Sequence, residues 1–346
     1  CLAMGDVPVA AGLDGAQAGV DTFTPTVAAT GFDYLPPETE GGGAESGAVL
    51  LLRAYEGAAP TSLTLLLDSS LADAAAFIRS HEELFVAKTE RVAVFGNPEP
   101  SSVGESAAEL LPDPSAANFK HDLGEACFVF SKCQQLGVPL VLLTRFAAYA
   151  SQLPSFVYDE LAAIGHPVAL RLREAQLGTI QKLWRRAAST TAEGRAGLPD
   201  RNDRAWFSST FCSGADLGGL GESSSIWPYI TGFPIYGPLA LLAAQPLTLG
   251  RFFEVRTKIV GNAEHLVVGT SEDETGVRDS RALRAFVMDA LRYALSESLT
   301  HALSTAAAIS ERKDDSFRPP MRKGSTFHGT RREGSEPASP GWCSPQ

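Results

Sequence analysis

Between Asp122 and Gln135 the apolar residues Leu123, Ala126, Cys127, Phe130 and Cys133 recur at the spacing of one helical face, and Gly137 stands where that helix should stop. Val138 to Leu143 follows as an unbroken apolar run, short for a helix and too continuous for a half-exposed strand, so the pattern predicts a central parallel strand. Upstream, Ser62 to Leu67 and Arg91 to Phe95 read as buried strands, joined by a helix from Leu71 to Arg79 and a turn at Leu84 and Phe85. That is a βαβ unit. Val7 to Ala10, inside the stretch Asp6 to Gly12, reads as a further short strand, and Ala44 to Tyr55 as a helix. Further on, Tyr158 to Ile164 and Arg171 to Ala188 have helical spacing, Phe252 to Val260 and His265 to Val268 alternate like a hairpin, and Ser280 to Leu303 is a long closing helix. The expected fold is α/β, with an open, mostly parallel sheet and helices on both faces.

The polar stretches divide the chain. Gly15 to Gly43, rich in glycine, proline and threonine, reads as loop, and Ser189 to Arg204 as a polar break. Ser213 to Ser225 is glycine-rich but lacks the Gly-Lys-Ser/Thr ending and the preceding strand of a phosphate loop, so it is expected to be a surface loop. Beyond Glu311 arginine, lysine, serine, glycine and proline replace the apolar pattern. The division expected is one α/β domain over residues 1–305 and a disordered tail over 306–346.

A chain of 346 residues that is 44% hydrophobic can bury a large core. Its formal charge of -11 offers no general attraction to nucleic acid or an anionic membrane surface, and no apolar run reaches the roughly 18 residues of a spanning helix. The five cysteines are scattered, odd in number and without a CxxC pair, which favours a reduced, cytoplasmic setting over a disulfide framework.

Ligands of open α/β sheets gather beyond the carboxyl ends of the strands, so Thr144 to Tyr149, directly after the central run, is expected to face any pocket. Asn118 and Asp122 lead into the preceding helix toward the same crevice. Asn118 suits a ribose hydroxyl and equally a helix cap; Asp122 offers a sugar contact or, more plainly, a cap for backbone amides. Asn97 and Asp68 each follow a strand and either touch sugar or settle a turn. His121 is a proton donor or a solvated loop side chain. Asn118, Asp122 and Asn97 are the expected substrate contacts. No residue is assigned as catalytic or metal-binding, since no histidine pair has zinc spacing and no Gly-x-Ser-x-Gly elbow occurs.

The succession Asn118, Asp122, amphipathic helix, Gly137-Val138-Pro139 and apolar strand resembles the middle of the inosine/uridine-preferring nucleoside hydrolases. Their pattern there is Glu-x-Asn, a short gap, Asp-Pro-Glu-Ala-Ala, helix, Gly-x-Pro, strand and Leu-Asp-Val-Thr; Ala116 takes the Glu place and Ala148 that of the final Thr. Leu63 to Asn97 is similar to the family's Gly-Pro-Leu-Thr-Asn-Leu-Ala helix, His-Pro-Glu-Leu turn and Met-Gly-Gly strand end, the last reading Phe95-Gly96-Asn97. Pro234 to Pro246 resembles the His-Asp-Pro-Leu-Ala-Val helix start, with Tyr236 and Gly237 in the places of the His and the Asp. Val7-Pro8-Val9 resembles a later strand of the family, which implies that the first strands are missing; their Asp-x-Asp-x-Gly-x-Asp-Asp cluster occurs nowhere in the chain.

What the resemblance implies is hydrolysis of the N-glycosidic bond of ribonucleosides, with a nucleoside as small-molecule partner and a homo-oligomer allowed. It also implies calcium, bound weakly or not at all here because the family's carboxylates are few. Calcium needs six to eight oxygens, several of them charged. The alternatives are a non-catalytic binding or structural relative, and another doubly wound module for a different ligand.

Overall fold

The computed structural model describes residues 7–10, 12–13, 45–104, 107–120, 122–196 and 198–316. Cys1–Ala302 form one compact unit; of the second, Leu303–Gln346, the described part is helical. In chain order the first unit opens with α1 (Gly47–Gly57), β1 (Leu63–Leu67), α2 (Ala72–Ser80), α3 (Glu82–Lys88) and β2 (Thr89–Phe95). The short helices α4 (Pro100–Val103) and α5 (Ala117–Lys120) precede α6 (Leu123–Leu136), β3 (Leu140–Leu143), α7 (Arg145–Ala150) and β4 (Leu153–Pro154). Then come α8 (Val157–Ala163), α9 (Pro167–Ala188), α10 (Arg204–Phe211), β5 (Gly232–Phe233), α11 (Gly237–Ala244), α12 (Pro246–Phe252), β6 (Arg256–Val260), β7 (Ala263–Val268) and α13 (Ser280–Ser316).

The main sheet has the order β1-β2-β3-β7-β6. β1, β2, β3 and β7 run parallel, and β6 returns antiparallel beside β7. Val138 to Leu143 thus supplies the middle strand, as its unbroken apolar run requires. Alternation across the pleat sends Val92, Val94, Leu140, Leu142 and Val267 into a core beneath α1, α2, α3 and α6. Their neighbours Ala93, Val141, Leu143 and Val268 enter a second core with α7, α8, α11, α12 and α13. Both faces are therefore covered, which is why β3 and the carboxyl-terminal halves of β1, β2 and β7 carry no polar residues. A third cluster, around Trp184, Phe207 and Phe211, packs α9 on α10, and the Trp184 indole N–H donates to the Gly221 carbonyl at 3.1 Å.

Several elements follow from local chemistry. Asp122 caps α6 by accepting from the Glu125 N–H at 3.1 Å, and Gly137 ends that helix at φ 72°, a left-handed turn that glycine adopts without a Cβ penalty. α9 starts at Pro167, earlier than periodicity indicated, because proline suits a first helical turn and His166 caps it through Nδ1, which accepts from the Val168 N–H.

One expectation needs correction. Val7 to Ala10 carry no strand pairing, Val9 is 83% exposed, and Pro8 has no N–H to offer a ladder. Among the described residues β1 is accordingly an edge strand. The expected hairpin exists, but its second arm also inserts beside β3, a long-range pairing that no local pattern encodes. The glycine-rich stretch from 213 to 225 is loop, as expected, and is held by Gln181, which donates to Ser224 O and accepts from Ile226 N–H. The expected loop over 15–43 lies outside the described residues. So does the expected tail beyond Ser316, up to which α13 continues.

Candidate functional site

β1, β2 and β3 end side by side in Leu67, Phe95 and Leu143, and the polar groups of interest stand beyond those ends. After β2 the backbone of Asn97 pairs with that of Asp113, and Pro98 bridges Pro112, so residues 97–99 and 111–113 form a small platform. Gln134 fixes the approach to it: its side-chain oxygen accepts from the Leu110 N–H at 2.7 Å while its amide donates to the Leu110 and Phe130 carbonyls. Lys258 anchors the same loop by donating to the carbonyls of Gly104 and Ala107, each at 2.6 Å.

Asn118, on α5, donates from its side-chain nitrogen to the Phe95 carbonyl at 2.9 Å and so lies at the carboxyl end of β2. Asn97 is buried, and its side-chain oxygen accepts from the Arg145 N–H at 2.8 Å, tying the end of β2 to the start of α7. The two asparagines expected as sugar contacts do meet at one strand end, each with a structural bond already made. Asp122 is turned onto its own helix as the N-cap, the plainer of its two readings. His121 lies outside the described residues.

Thr144 to Tyr149 does line this end of the sheet, but as a helical turn. Thr144 donates to Gly269 O at 2.8 Å and caps α7. Arg145 stacks over the Phe146 ring, 4.9 Å to its centroid, and stands 3.6 Å from Asp113. Ala148 is buried inside α7, and its carbonyl accepts from the Ser151 N–H at 3.1 Å, so that oxygen is engaged in the helix end.

On the other flank α11 presents its first turn to the ends of β1 and β2. The Tyr236 ring meets Phe95 edge-on at 5.3 Å, and its hydroxyl lies beside that of Tyr149. Desolvation chiefly, with the neighbouring Tyr149 adding to it, holds the Tyr236 hydroxyl protonated well above the usual tyrosine range. Asp68, directly after β1, packs against the backbone of Gly237: a Cβ added there would lie 2.1 Å from its Oδ2. Burial raises the Asp68 carboxyl above its ordinary pKa. A cleft of about 380 Å³ runs beside it, walled by Leu50, Leu51 and Ala54 of α1 and Leu65 to Leu67 of β1, with Ser69, Ser70 and Asp73 at its mouth.

The crevice is therefore a set of hydrogen-bonding groups and aromatic rings, with Asp68 paired to no side chain among the described residues. Among the described residues no three His, Cys, Asp or Glu side chains converge, and Asp113 is engaged with Arg145 and the Ser115 N–H. The sequence pointed to Asn97 and Asp68 by their places after strands, and to Asn118 by its place leading into the helix before the central strand. Asp113 escaped it, because a platform built by pairing across a loop leaves no periodic trace, whereas Tyr149 lay in the stretch expected to face the pocket.

No protein-family model matches the chain, and no curated relative matches it in sequence. Among solved structures it is similar to the effector protein XOO4466, at 26% identity over 73% of this chain and 65% of that one, with a TM-score of 0.58. It is likewise similar to the type III effector protein XopQ, solved in complex with adenosine diphosphate ribose, at 28% identity over 73% of this chain and 66% of that one, TM-score 0.59. The chain thus spans just under two thirds of the length of these effectors. A purine-preferring ribonucleoside hydrolase from Gardnerella vaginalis is a remoter neighbour, 11% identical over 73% of this chain and 67% of that one, TM-score 0.42. The α/β fold with its mostly parallel sheet is thus similar to that of these two effectors.

Proposed function

We propose that this chain binds a ribose-containing small molecule, of the nucleoside or adenosine diphosphate ribose class, beyond the carboxyl ends of β1 to β3, and cleaves N-glycosidic bonds at no more than trace rates. The observation that carries the reading is the meeting of Asn118 and Tyr236 on Phe95 at the end of β2, with Asn97 two residues further on tying that end to α7. This is where an open parallel sheet receives its ligand, and amides beside aromatic rings are what a sugar and a base call for. The likeness to XopQ, whose complex holds adenosine diphosphate ribose, supports the same ligand class.

Cleavage of an N-ribosyl bond passes through an oxocarbenium-like state and needs a positioned water with a base to take its proton. The nucleoside hydrolases that the sequence resembles meet that need with calcium and its carboxylates. Here Gly237 stands in the place of one such carboxylate and Tyr236 in that of the neighbouring histidine. A hydroxyl held protonated, as that of Tyr236 is, donates or accepts a hydrogen bond but does not deprotonate water. Ribose contacts without that chemistry bind the ground state and accelerate little.

Isothermal titration with adenosine diphosphate ribose, adenosine and calcium, beside a reducing-sugar assay on inosine and uridine, tests the proposal. The expected result is saturable binding of the ribosyl compounds, unchanged by a chelator, with sugar release close to background. Tight calcium binding with clear turnover that Asn118→Ala abolishes would overturn it.

A further inference from the structure

Ribose presents two adjacent hydroxyls, and a carboxylate receives both at once because it has two accepting oxygens and no proton of its own. Most polar side chains at the ends of β1 to β3 are already engaged. Asn118 holds the Phe95 carbonyl, Asn97 the Arg145 N–H, Asp122 the first turn of α6, and Asp113 the Ser115 N–H and Arg145. Asp68 differs. No described side chain pairs with it, it lines the cleft beside β1, and it is partly desolvated against α11.

Its placement is specific to this sequence. At position 237, where the resembling family has an aspartate, the chain has no side chain, and the Asp68 carboxylate occupies the space in which that side chain would begin: Oδ2 is 2.1 Å and Cγ 3.0 Å from where a Cβ would stand. A carboxylate absent from the start of α11 is thus supplied to the same volume from the end of β1. Asp68, Ser69 and Ser70 line the cleft together, while Tyr236, just before Gly237, is not part of its lining.

We propose that Asp68 is the ribose-diol acceptor of this chain, taking hydrogen bonds from the vicinal 2′- and 3′-hydroxyls of the ligand where its carboxylate lines the cleft beside β1. The inference rests on the ribosyl-ligand reading above and assigns it a residue and a chemical handle. Hydrogen bonds to a charged acceptor discriminate by about tenfold to a hundredfold when the partner is removed.

The test is titration of the full chain and of Asp68→Asn with adenosine and with 2′,3′-dideoxyadenosine. In the wild-type chain the dideoxy compound binds about tenfold or more weaker than adenosine. Asp68→Asn, an exposed and nearly isosteric change, brings adenosine down to the dideoxy level and leaves dideoxyadenosine unaltered. Wild-type affinity of Asp68→Asn for adenosine, or equal weakening of both compounds, overturns the assignment while the ligand class stands. Failure of the wild-type chain to bind adenosine or adenosine diphosphate ribose overturns the ligand class and the assignment together.

Discussion

His265 shows how a single side chain can set a pH limit. It is fully buried, its Nδ1 accepts from the Leu140 N–H at 3.0 Å, and its Nε2 has no partner. The proton therefore sits on Nε2, and desolvation lowers the ring from 6.5 to about 4. Because the folded pKa lies below the unfolded one, the neutral ring's contribution is intact above about pH 6.5 and is lost as pH falls toward 4. That span corresponds to about 3 kcal/mol. Urea melts at pH 7, 5.5 and 4 should show the loss, and His265→Gln should flatten that part of the profile; an identical profile in the variant would mean that His265 does not titrate there. None of this was readable beforehand, since the sequence shows a histidine in an alternating run and not the strand that crosses it.

At the scale of elements, α11 and β1 are coupled through one contact. Gly237→Ala drives a methyl group into the Asp68 carboxylate, so one of them must move. Because the carboxylate is the exposed end of a side chain that can swing aside, the expected cost is at most about 1 kcal/mol of stability, below that of overfilling a packed core. Asp68→Ala in the same chain should remove most of it. A double-mutant cycle by thermal melting measures the coupling, and additive effects would show that the two do not touch. Strands β2 and β3 and helix α6 were legible because their burial is complete on one face or both, and burial writes periodicity into sequence. α7 and α10 were not foreseen. Each is short, begins at a capping Thr144 or Asp203, and is held by tertiary packing rather than by a repeating apolar face. Of the expected contacts, Asn97 and Asn118 reach the crevice because they end or flank strands, whereas Asp122 answers to its own helix.

For the whole molecule, the sheet has one property that strand order alone creates. β3 is closed on one side by β2, which precedes it, and on the other by β7, whose bonds to it span 125 residues: Leu140 to His265 and Thr144 to Gly269. During synthesis, then, the ribosome releases the most apolar strand of the sheet long before its second neighbour exists. Until about residue 268 emerges, Leu140 to Leu143 has an open edge, and such edges recruit other chains. A nascent chain stopped at residue 255, short of β6 and β7, should therefore collect as insoluble aggregate that binds chaperones. Co-expressing residues 256–316 as a separate fragment should return part of it to solution. Recovery of the shortened chain alone as a soluble, cooperatively unfolding monomer would mean that β2 and the helices shield the strand unaided.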